Sequence, residues 1–378
     1  MRTVRDVENL KDKKVVLRVD FNVPVENEKI QEDYKIKAHK ETIDFLVRSG
    51  AKVLLISHHS TDGFSFADSI DQIEEILGQK LVFLQNLHDA TMPDHSSGVF
   101  LLDNIRIFPE EEKNDEGLAL SLSKGFDIYV NDAFSVSHRA HASVSAVTSL
   151  LPSYAGFLLE KEIFQLSSVL NKPAQGKTLI IGGGKVGTKV RLVKNFIGKA
   201  ENILIGGAVA NNFFKASGFE IGRSVIDESY IDELGPLLNH SSIFIPEDVI
   251  ISPDKIGKTE NNPFPAGNID PNHYILDIGP ETTKHFSDLI KNSEMVIWNG
   301  PMGMFEIDAF SSGTKKIVQA ISETKAYTII GGGDTISAFN KFGNLNDVDF
   351  VSTGGGAMLE FLSGDKLPGL DALGYYND

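Results

Sequence analysis

The sequence predicts an α/β protein with two domains, each built on a doubly wound parallel β-sheet. Three observations lead to this fold class. The chain has 378 residues, which is too long for one ordinary core because domains average roughly 150 residues. Short β-rich runs recur along it, and each is followed by turn residues and by a stretch with helical spacing. This alternation is typical of parallel strands connected by helices.

Ten apolar runs are expected to form the strands. Four lie in the first half of the chain, at residues 14–22, 51–59, 99–106 and 126–134. Six lie in the second half, at residues 178–184, 202–208, 242–248, 295–301, 327–333 and 349–356. Between the halves, the apolar residues of 157–170 keep helical periodicity, so we expect a helix that joins the two domains. Residues 252–271 are rich in Pro, Asn and Gly and are predicted to form a surface loop.

Composition limits the classes of function. The net charge is −16, which disfavours non-specific binding to nucleic acid or anionic lipid because their phosphates would be repelled. There is no cysteine, which excludes disulfides and thiolate metal sites and fits a reducing compartment. The charged N-terminus has no apolar signal-peptide region, and no apolar run approaches the ~20 residues of a membrane-spanning helix. We therefore expect a cytoplasmic protein.

The two predicted sheets differ at the carboxyl ends of their strands, where sheets of this kind bind ligands. In the first half these positions carry charged, imidazole or amide groups that suit a small polyanion: Arg18, Asp20, Asn22, His58, Asn104, Arg106, Asn131 and Asp132. In the second half the strands end almost entirely in glycine. We expect the first edge to hold its ligand with side chains and the second with backbone groups.

Three glycine triplets, at residues 182–184, 331–333 and 354–356, each follow an apolar run and precede a predicted helix. Such a turn points backbone N–H groups at an anion and lets a phosphate approach without meeting a Cβ atom. A single triplet is equally typical of a tight turn. Three triplets on one sheet edge favour phosphate binding.

The first triplet also satisfies the dinucleotide fingerprint G-x-G-x-x-G, at Gly182, Gly184 and Gly187, so an NAD-type site is an alternative. One observation opposes it. The acidic residue that should end the second strand and bind a ribose is missing, because Glu201 precedes the next apolar run. The stretch does not match the P-loop either, since the order here is Gly-Thr-Lys instead of Gly-Lys-Ser/Thr.

Lys185 and Lys189 stand at the start of the helix expected after this triplet. They are four residues apart and should share one helical face, while the valines of the same stretch take the buried face. Two ammonium groups in the first turns oppose the helix dipole by up to about 1 kcal/mol each. An anion between them would reverse this effect, so the pair predicts a phosphate at the glycine turn.

Two further segments carry candidate ligands. In residues 331–335, Asp334 is a candidate Mg²⁺ ligand, since this ion meets proteins through one or two carboxylates plus substrate phosphates, and Thr335 is a candidate N-cap. Asp334 could equally act only as a cap. In residues 298–306, Glu306 could accept ribose hydroxyls.

The histidine-containing segments 57–59 and 138–143 could form metal clusters. Neither has the spacing of a zinc site such as H-E-x-x-H, and Arg18 and Arg106 lie near them in the predicted topology. Anion binding is therefore the better interpretation. The sequence has no G-x-S-x-G motif and no cysteine, so it indicates no nucleophile.

Together the motifs resemble those of the phosphoglycerate kinase family. They are RVDFNVP at 18–24, VNDAF at 130–134, HRAHAS at 138–143, GGGKVGTK at 182–189, NGPMGMFE at 299–306, GGGDT at 331–335 and STGGGA at 352–357. They occur in family order, and with LPGLDAL at 367–373 the resemblance covers effectively the whole chain.

The resemblance implies two Rossmann-like domains joined by a central helix and hinge. Their limits are 1–154 for binding 3-phosphoglycerate, 155–171 for the helix, 172–361 for binding nucleotide and 362–378 for a segment returning to the first domain. It further implies glycolytic, reversible, Mg²⁺-dependent phosphoryl transfer between 1,3-bisphosphoglycerate and ADP, giving 3-phosphoglycerate and ATP. The expected enzyme is a cytoplasmic monomer without nucleic-acid or membrane partners.

The functional residues of the family carry over by motif. The implied substrate-binding residues are Asp20, Asn22, Lys35, His58, Arg106 and Arg139. The implied nucleotide-binding residues are Gly183, Lys185, Lys189, Gly207, Asn299, Glu306, Gly332, Asp334 and Thr335, with Asp334 also linked to the metal. The implied catalytic residues are Lys189, Lys35, Gly332 and Gly355. No general base is required, because the attacking carboxylate is already ionised at neutral pH, its pKa being near 4.

Two positions depart from the family pattern. Lys35 replaces an arginine that contacts the substrate and the transferring phosphoryl group, and Thr61 replaces a second arginine. A lysine is a point charge without the planar fork of a guanidinium, so we expect reduced efficiency. These departures leave open a non-catalytic or regulatory protein that binds nucleotide and phosphoglycerate, which the intact Lys189, Asp334 and Glu306 oppose. A nicotinamide dehydrogenase is the remaining alternative.

Overall fold

The computed structural model describes residues 1–87 and 98–377. The chain divides into two compact units, Met1–Gln165 with Lys366–Asp378, and Leu166–Asp365. Each unit contains a six-stranded parallel sheet flanked by helices, which confirms the predicted fold class.

The sheet of the first unit contains the four predicted strands and two further edge strands. In spatial order its strands are Leu81–Leu84, Val99–Leu102, Lys52–Ile56, Lys14–Arg18, Ile128–Asn131 and Ser153–Ala155. All five pairings are parallel. The inner strands are almost fully buried, as expected for a parallel sheet covered on both faces. The two edge strands are short and only partly buried. Ser153–Ala155 lacks the apolar run that predicts the others, whereas Leu81–Leu84 has one that the sequence analysis missed.

The sheet of the second unit contains all six strands predicted for it. Their spatial order is Ile243–Phe244, Asn202–Ile205, Lys177–Ile181, Met295–Asn299, Tyr327–Gly331 and Phe350–Ser352. These pairings are also parallel. Two of the glycine triplets therefore follow neighbouring strands, Tyr327–Gly331 and Phe350–Ser352. The strand before the first triplet, Lys177–Ile181, is separated from them by Met295–Asn299.

Helices cover both sheets. Those of the first unit are Tyr34–Ala38, Lys40–Arg48, Ile70–Leu77, Glu116–Ser123 and Pro368–Ala372. Those of the second are Val186–Phe196, Gly207–Ala216, Ile231–Leu234, Pro280–Lys291, Ser312–Glu323, Gly333–Phe342 and Gly356–Leu362. The helix Phe157–Asn171 includes the boundary between the units, which falls after Gln165. Across the part of the chain that the structure describes, no helix is both long enough and apolar enough to span a membrane.

The prediction of a surface loop at 252–271 is partly wrong. An antiparallel sheet with the order Asn262–Pro265, Asp248–Ser252 and Tyr274–Ile278 overlaps it. The prolines of the first of these strands argue against a strand in a sequence, but an edge strand tolerates them because its outer N–H groups need no partner. This strand is exposed at every position. A separate hairpin in the first unit pairs Val25–Glu26 with Lys29–Ile30.

Candidate functional sites in the two units

The first candidate site lies at the carboxyl edge of the first sheet. Strands Lys14–Arg18, Lys52–Ile56 and Ile128–Asn131 are parallel neighbours whose last residues are in register. The segments that follow them therefore meet at one edge. We call the predicted substrate-binding side chains at this edge the first-unit cluster: Asp20, Asn22, Lys35, His58, Arg106 and Arg139.

Asp20 is the centre of the first-unit cluster. Its Oδ2 accepts hydrogen bonds from Ser135 Oγ at 2.5 Å and from Lys35 Nζ at 3.3 Å, and its Oδ1 accepts one from the backbone N–H of Asn22 at 3.0 Å. Burial by itself raises the pKa of Asp20, but the charge of Lys35 and these hydrogen bonds outweigh burial and hold the pKa well below its ordinary value. Asp20 is therefore a pure acceptor, suited to a ligand hydroxyl.

His58 is buried beside Arg18, and the charges of two further arginines also act on it. Its Nδ1 lies 3.3 Å from Arg18 Nη2 and 3.8 Å from an oxygen of Asp20. Burial lowers the pKa of His58 well below its ordinary value, and the charges of Arg18, Arg106 and Arg139 act in the same direction against Asp20. His58 is therefore neutral, and its Nδ1 accepts the hydrogen bond from Arg18.

Arg18 is fully buried, and its other contacts involve residues that the sequence analysis missed. Its Nε donates to Ser143 Oγ at 2.9 Å. That hydroxyl donates to Glu111 Oε1 at 2.5 Å, and the backbone N–H of Ser143 donates to Glu111 Oε2 at 2.9 Å. Glu111 is itself buried, although the acidic segment 110–112 resembles a solvated surface. These contacts fix Arg18 and, through it, His58.

The two remaining arginines form a cationic pair. Arg106 Nε lies 3.2 Å from Glu112 Oε1, and Arg139 is exposed, with its Nε donating to His138 at 3.2 Å. Partial shielding of the Arg139 guanidinium from water lowers its pKa although the residue is exposed overall, and the like charge of Arg106 adds to this effect. An anion near both guanidinium groups would relieve the repulsion. Thr61 and Arg106 line the same cavity of about 210 Å³, where Thr61 contributes no charge.

The second candidate site is built from the glycine turns of the second sheet. Backbone hydrogen bonds join two of these turns to the segment that follows strand Met295–Asn299. They run from Gly183 N–H to Pro301 O at 2.7 Å and from Gly207 N–H to Met302 O at 2.9 Å. A Cβ atom on Gly207 would clash with the backbone nitrogen of Gly183. Five turn residues have positive φ, which favours glycine: Gly183, Gly207, Gly300, Gly332 and Gly355.

Lys189 is buried behind the first turn. It is 5% exposed, and its Nζ donates to the carbonyl oxygen of Gly182. The prediction that Lys185 and Lys189 share one helical face is wrong, because the helix begins at Val186 and Lys185 is its exposed N-cap residue. Burial lowers the pKa of Lys189 to about 8, Lys185 acts in the same direction, and Asp334 opposes them. The second unit thus holds a buried ammonium group at a glycine turn, and the negative charge of Asp334 offsets the effects of burial and Lys185 only in part.

The helix Gly333–Phe342 starts differently from the prediction. Its N-cap residue is Gly332, so the predicted N-cap role of Thr335 is wrong. The hydroxyl of Thr335 instead accepts a hydrogen bond from the backbone N–H of Gly300 at 2.7 Å. Asp334 lies in the first turn of this helix and is exposed.

Two side chains of strand Met295–Asn299 donate hydrogen bonds to carbonyl groups of these turns. Asn299 Nδ2 donates to Gly331 O at 2.7 Å, and Trp298 Nε1 donates to Gly300 O at 2.7 Å. Gly355 is the N-cap residue of the next helix, and a Cβ atom on it would lie 3.9 Å from Cα of Gly332. The turns after neighbouring strands are thus fastened to one another.

A cavity of about 260 Å³ opens beside these turns. Its lining includes residues of the glycine turns and two exposed carboxylates, contributed by Gly183, Gly207, Glu306 and Asp334. Much of the remaining lining is apolar and includes Val225, Val249, Tyr274, Leu276, Ile278 and Met302. Several of these apolar residues belong to the antiparallel sheet, so the sequence analysis missed them. The cavity suits a ligand with an apolar, flat part and a polyanionic part.

Asp277 is a further residue that the sequence analysis missed. It is buried and lines the cavity, and its two oxygens accept hydrogen bonds from the backbone N–H groups of Gly313 at 2.7 Å and Ile278 at 3.0 Å. Burial raises the pKa of Asp277 to about 7, although both hydrogen bonds act in the opposite direction.

Comparison with known proteins agrees with these features. Residues 4–365 match the family model of phosphoglycerate kinase. A phosphoglycerate kinase of Pelotomaculum thermopropionicum is 39% identical over 388 aligned residues, covering 98% of each chain. The phosphoglycerate kinase structure from Coxiella burnetii superposes with a TM-score of 0.85 at 32% identity, covering 100% of this chain and 99% of that one. The structure from Pyrococcus horikoshii OT3 has a TM-score of 0.85 at 30% identity, with 100% of both chains covered. The chain therefore belongs to the phosphoglycerate kinase family.

Proposed function

We propose that this chain catalyses reversible phosphoryl transfer between 1,3-bisphosphoglycerate and ADP, giving 3-phosphoglycerate and ATP. Family membership makes it a nucleotide-dependent phosphotransferase with a carboxyl group as acceptor. The observation that carries the proposal is Lys189, a buried ammonium behind a glycine turn beside a cavity with apolar walls. The non-catalytic alternative rests only on Lys35 and Thr61, and the intact Lys189, Asp334 and Glu306 oppose it.

In this proposal the first-unit cluster binds 3-phosphoglycerate, and residues 1–154 form the domain that carries it. Arg106 and Arg139 hold the phosphate, since their mutual repulsion is relieved by an anion. Asp20 accepts a hydrogen bond from the substrate hydroxyl, while Asn22 and His58 complete the polar surroundings. The net charge of the chain is −16, which repels anions at long range, so the cationic groups of this cluster have to attract the substrate locally.

In the same proposal residues 172–361 bind the nucleotide. The phosphates lie at the turns of Gly183, Gly207 and Gly332, next to Lys185 and Lys189. The base occupies the apolar part of the cavity, and the ribose hydroxyls meet Glu306. Asn299 and Thr335 hold the turns in place through the contacts described above.

The residues present fit Mg²⁺ bound with the nucleotide. Asp334 offers an exposed carboxylate at the cavity, and within the described residues no group of three or more His, Cys, Asp or Glu could hold an ion without the phosphates. The ion would be held by Asp334 together with phosphate oxygens, and it would neutralise part of their charge. The proposal also includes a cytoplasmic monomer and a C-terminal segment, 362–378, that returns to the first domain.

The chemistry needs positioning and positive charge. The acceptor carboxylate of 3-phosphoglycerate is ionised at neutral pH, so no base must remove a proton. Charge in the transition state spreads over the equatorial oxygens of the transferring group. Lys35, Lys189 and the backbone N–H groups near Gly332 and Gly355 stabilise these oxygens.

Steady-state kinetics test the proposal. Purified protein is mixed with MgATP and 3-phosphoglycerate, and 1,3-bisphosphoglycerate is followed by coupling to a dehydrogenase in excess. We expect turnover that requires both substrates and Mg²⁺. Saturable binding of both substrates without turnover would instead support the non-catalytic alternative. A change in NADH fluorescence on mixing with the protein alone would support a dehydrogenase.

A further inference from the structure

His39 and Asp132 form a buried pair beside Asp20 that the proposed reaction does not use. Their exposed fractions are 1% and 0%. His39 Nδ1 lies 2.8 Å from Asp132 Oδ2, and His39 Nε2 accepts the backbone N–H of Asp20 at 2.8 Å. Because a backbone N–H can only donate, Nε2 is unprotonated and Nδ1 carries the ring proton, which it donates to Asp132. The surroundings thus select one tautomer of His39.

The other oxygen of Asp132 caps the helix Phe157–Asn171. Asp132 Oδ1 accepts the backbone N–H groups of Leu158 at 2.9 Å and Leu159 at 3.4 Å. A Cβ atom on Gly156 would clash with this carboxylate, so glycine leaves the space that the contact needs. Asp132 is therefore held by a helix N-terminus on one side and holds His39 on the other.

The hydrogen bonds that run from Asp132 through His39 end at Asp20. The side chain of Asp20 is bonded to Ser135 and Lys35, at 2.5 Å and 3.3 Å. Where this carboxylate stands depends on its backbone, and the N–H of Asp20 is bonded to His39. A shift of this backbone would move the carboxylate relative to the rest of the first-unit cluster.

We propose that His39 is a positioning residue for Asp20, that Asp132 keeps it in the required tautomer, and that the pair sets the affinity for 3-phosphoglycerate. The inference rests on the proposed function, in which Asp20 meets the substrate hydroxyl. His39 itself contacts the backbone of Asp20 and acts only through it.

Two variants of His39 separate its hydrogen bond with Asp20 from its hydrogen bond with Asp132. In His39→Gln the side-chain amide reaches the place of Nε2 and can accept the N–H of Asp20. In His39→Asn the amide lies near the place of Nδ1 and can donate to Asp132 but cannot reach Asp20. Both lose the edge-to-face contact of the imidazole with Phe21, whose ring centroid lies 6.0 Å away, so they are matched for the loss of this contact.

We expect His39→Asn to raise the KM and the Kd for 3-phosphoglycerate at least tenfold, with the KM for MgATP changed less than twofold. His39→Gln should stay within threefold of the parent for all three constants. Equal effects of the two variants on 3-phosphoglycerate, or equal effects on both substrates, would overturn the inference and indicate a purely structural role.

Asp132→Asn tests the tautomer from the other end, and it also serves if His39→Asn fails to fold. An amide nitrogen facing His39 would donate to Nδ1 and move the ring proton to Nε2, which would then oppose the N–H of Asp20. We expect the Kd for 3-phosphoglycerate to rise at least tenfold, and an unchanged Kd in folded protein would overturn the inference. Calorimetric Kd values do not depend on turnover. If the parent protein binds 3-phosphoglycerate without catalysis, the proposed function fails while this inference is still tested.

Discussion

The lowered pKa of Lys189 predicts a pH limb in the proposed kinase activity. Burial brings the pKa of the Lys189 ammonium to about 8. The charged fraction is then about nine-tenths at pH 7 and about one-tenth at pH 9, as follows for one group one pH unit either side of its pKa. Because kcat/KM reports the pKa values of the free enzyme, kcat/KM for MgATP should fall about tenfold between pH 7 and pH 9.

The assay is the coupled reaction at saturating 3-phosphoglycerate, at constant ionic strength and with the coupling enzyme in excess at each pH. Two matched variants locate the limb. Lys189→Met keeps much of the side-chain volume without the charge, so kcat/KM at pH 7 should fall on the order of 100-fold and the limb should disappear. Lys185→Met removes a like charge that lowers the pKa of Lys189, so the limb should remain and move to higher pH.

A flat profile from pH 7 to pH 9 in the parent protein would contradict the reasoning. So would the same limb in Lys189→Met, since another group would then have to cause it. Far-UV circular dichroism of both variants establishes that the comparison is made on folded protein.

Three further predictions concern other residues of the two sites. Lys35→Arg should raise kcat severalfold in the steady-state assay, because a guanidinium fork can engage two oxygens at once, and no gain would show that the point charge is sufficient. Gly207→Ala should weaken ADP binding at least tenfold in calorimetry and leave 3-phosphoglycerate binding unchanged, because φ is +54° and the added Cβ would clash with the backbone nitrogen of Gly183. Equal ADP affinities would exclude this turn from the phosphate site. Asp277 has a raised pKa of about 7, so its stabilising contribution is fully present below pH 4 and is lost as pH rises towards 7. Between pH 5 and pH 8, urea unfolding of the parent should lose on the order of 3 kcal/mol relative to Asp277→Asn, and parallel curves would contradict the burial argument.

The inner strands could be predicted because burial on both faces leaves a direct trace in the sequence. Strands Lys177–Ile181 and Met295–Asn299 are buried along their length, are mainly apolar and are followed by glycine, so the strands and the turns after them could be predicted. Edge strands such as Ser153–Ala155 bury little and leave no such trace. The short exposed strand Asn262–Pro265 has a composition typical of a loop.

Candidate ligand residues could be found by motif, but their roles depended on contacts that no local pattern contains. The partner of Thr335 is the backbone of Gly300, in another turn. Four-residue spacing places Lys185 and Lys189 on one face only if both are helical, and the helix starts between them. The buried carboxylate of Glu111 could not be predicted, because its partner Ser143 lies 32 positions away.

The C-terminal helix Pro368–Ala372 belongs to the same unit as the N-terminal strand Lys14–Arg18. Within that unit the backbone N–H of Gly369 donates to Ser137 O at 2.8 Å, and Leu370 is fully buried. During synthesis all of Leu166–Asp365 is therefore translated before the helix Pro368–Ala372 of the first unit. In nascent chains halted before Lys366, the second unit should be able to fold on its own, whereas the first unit still lacks its final segment.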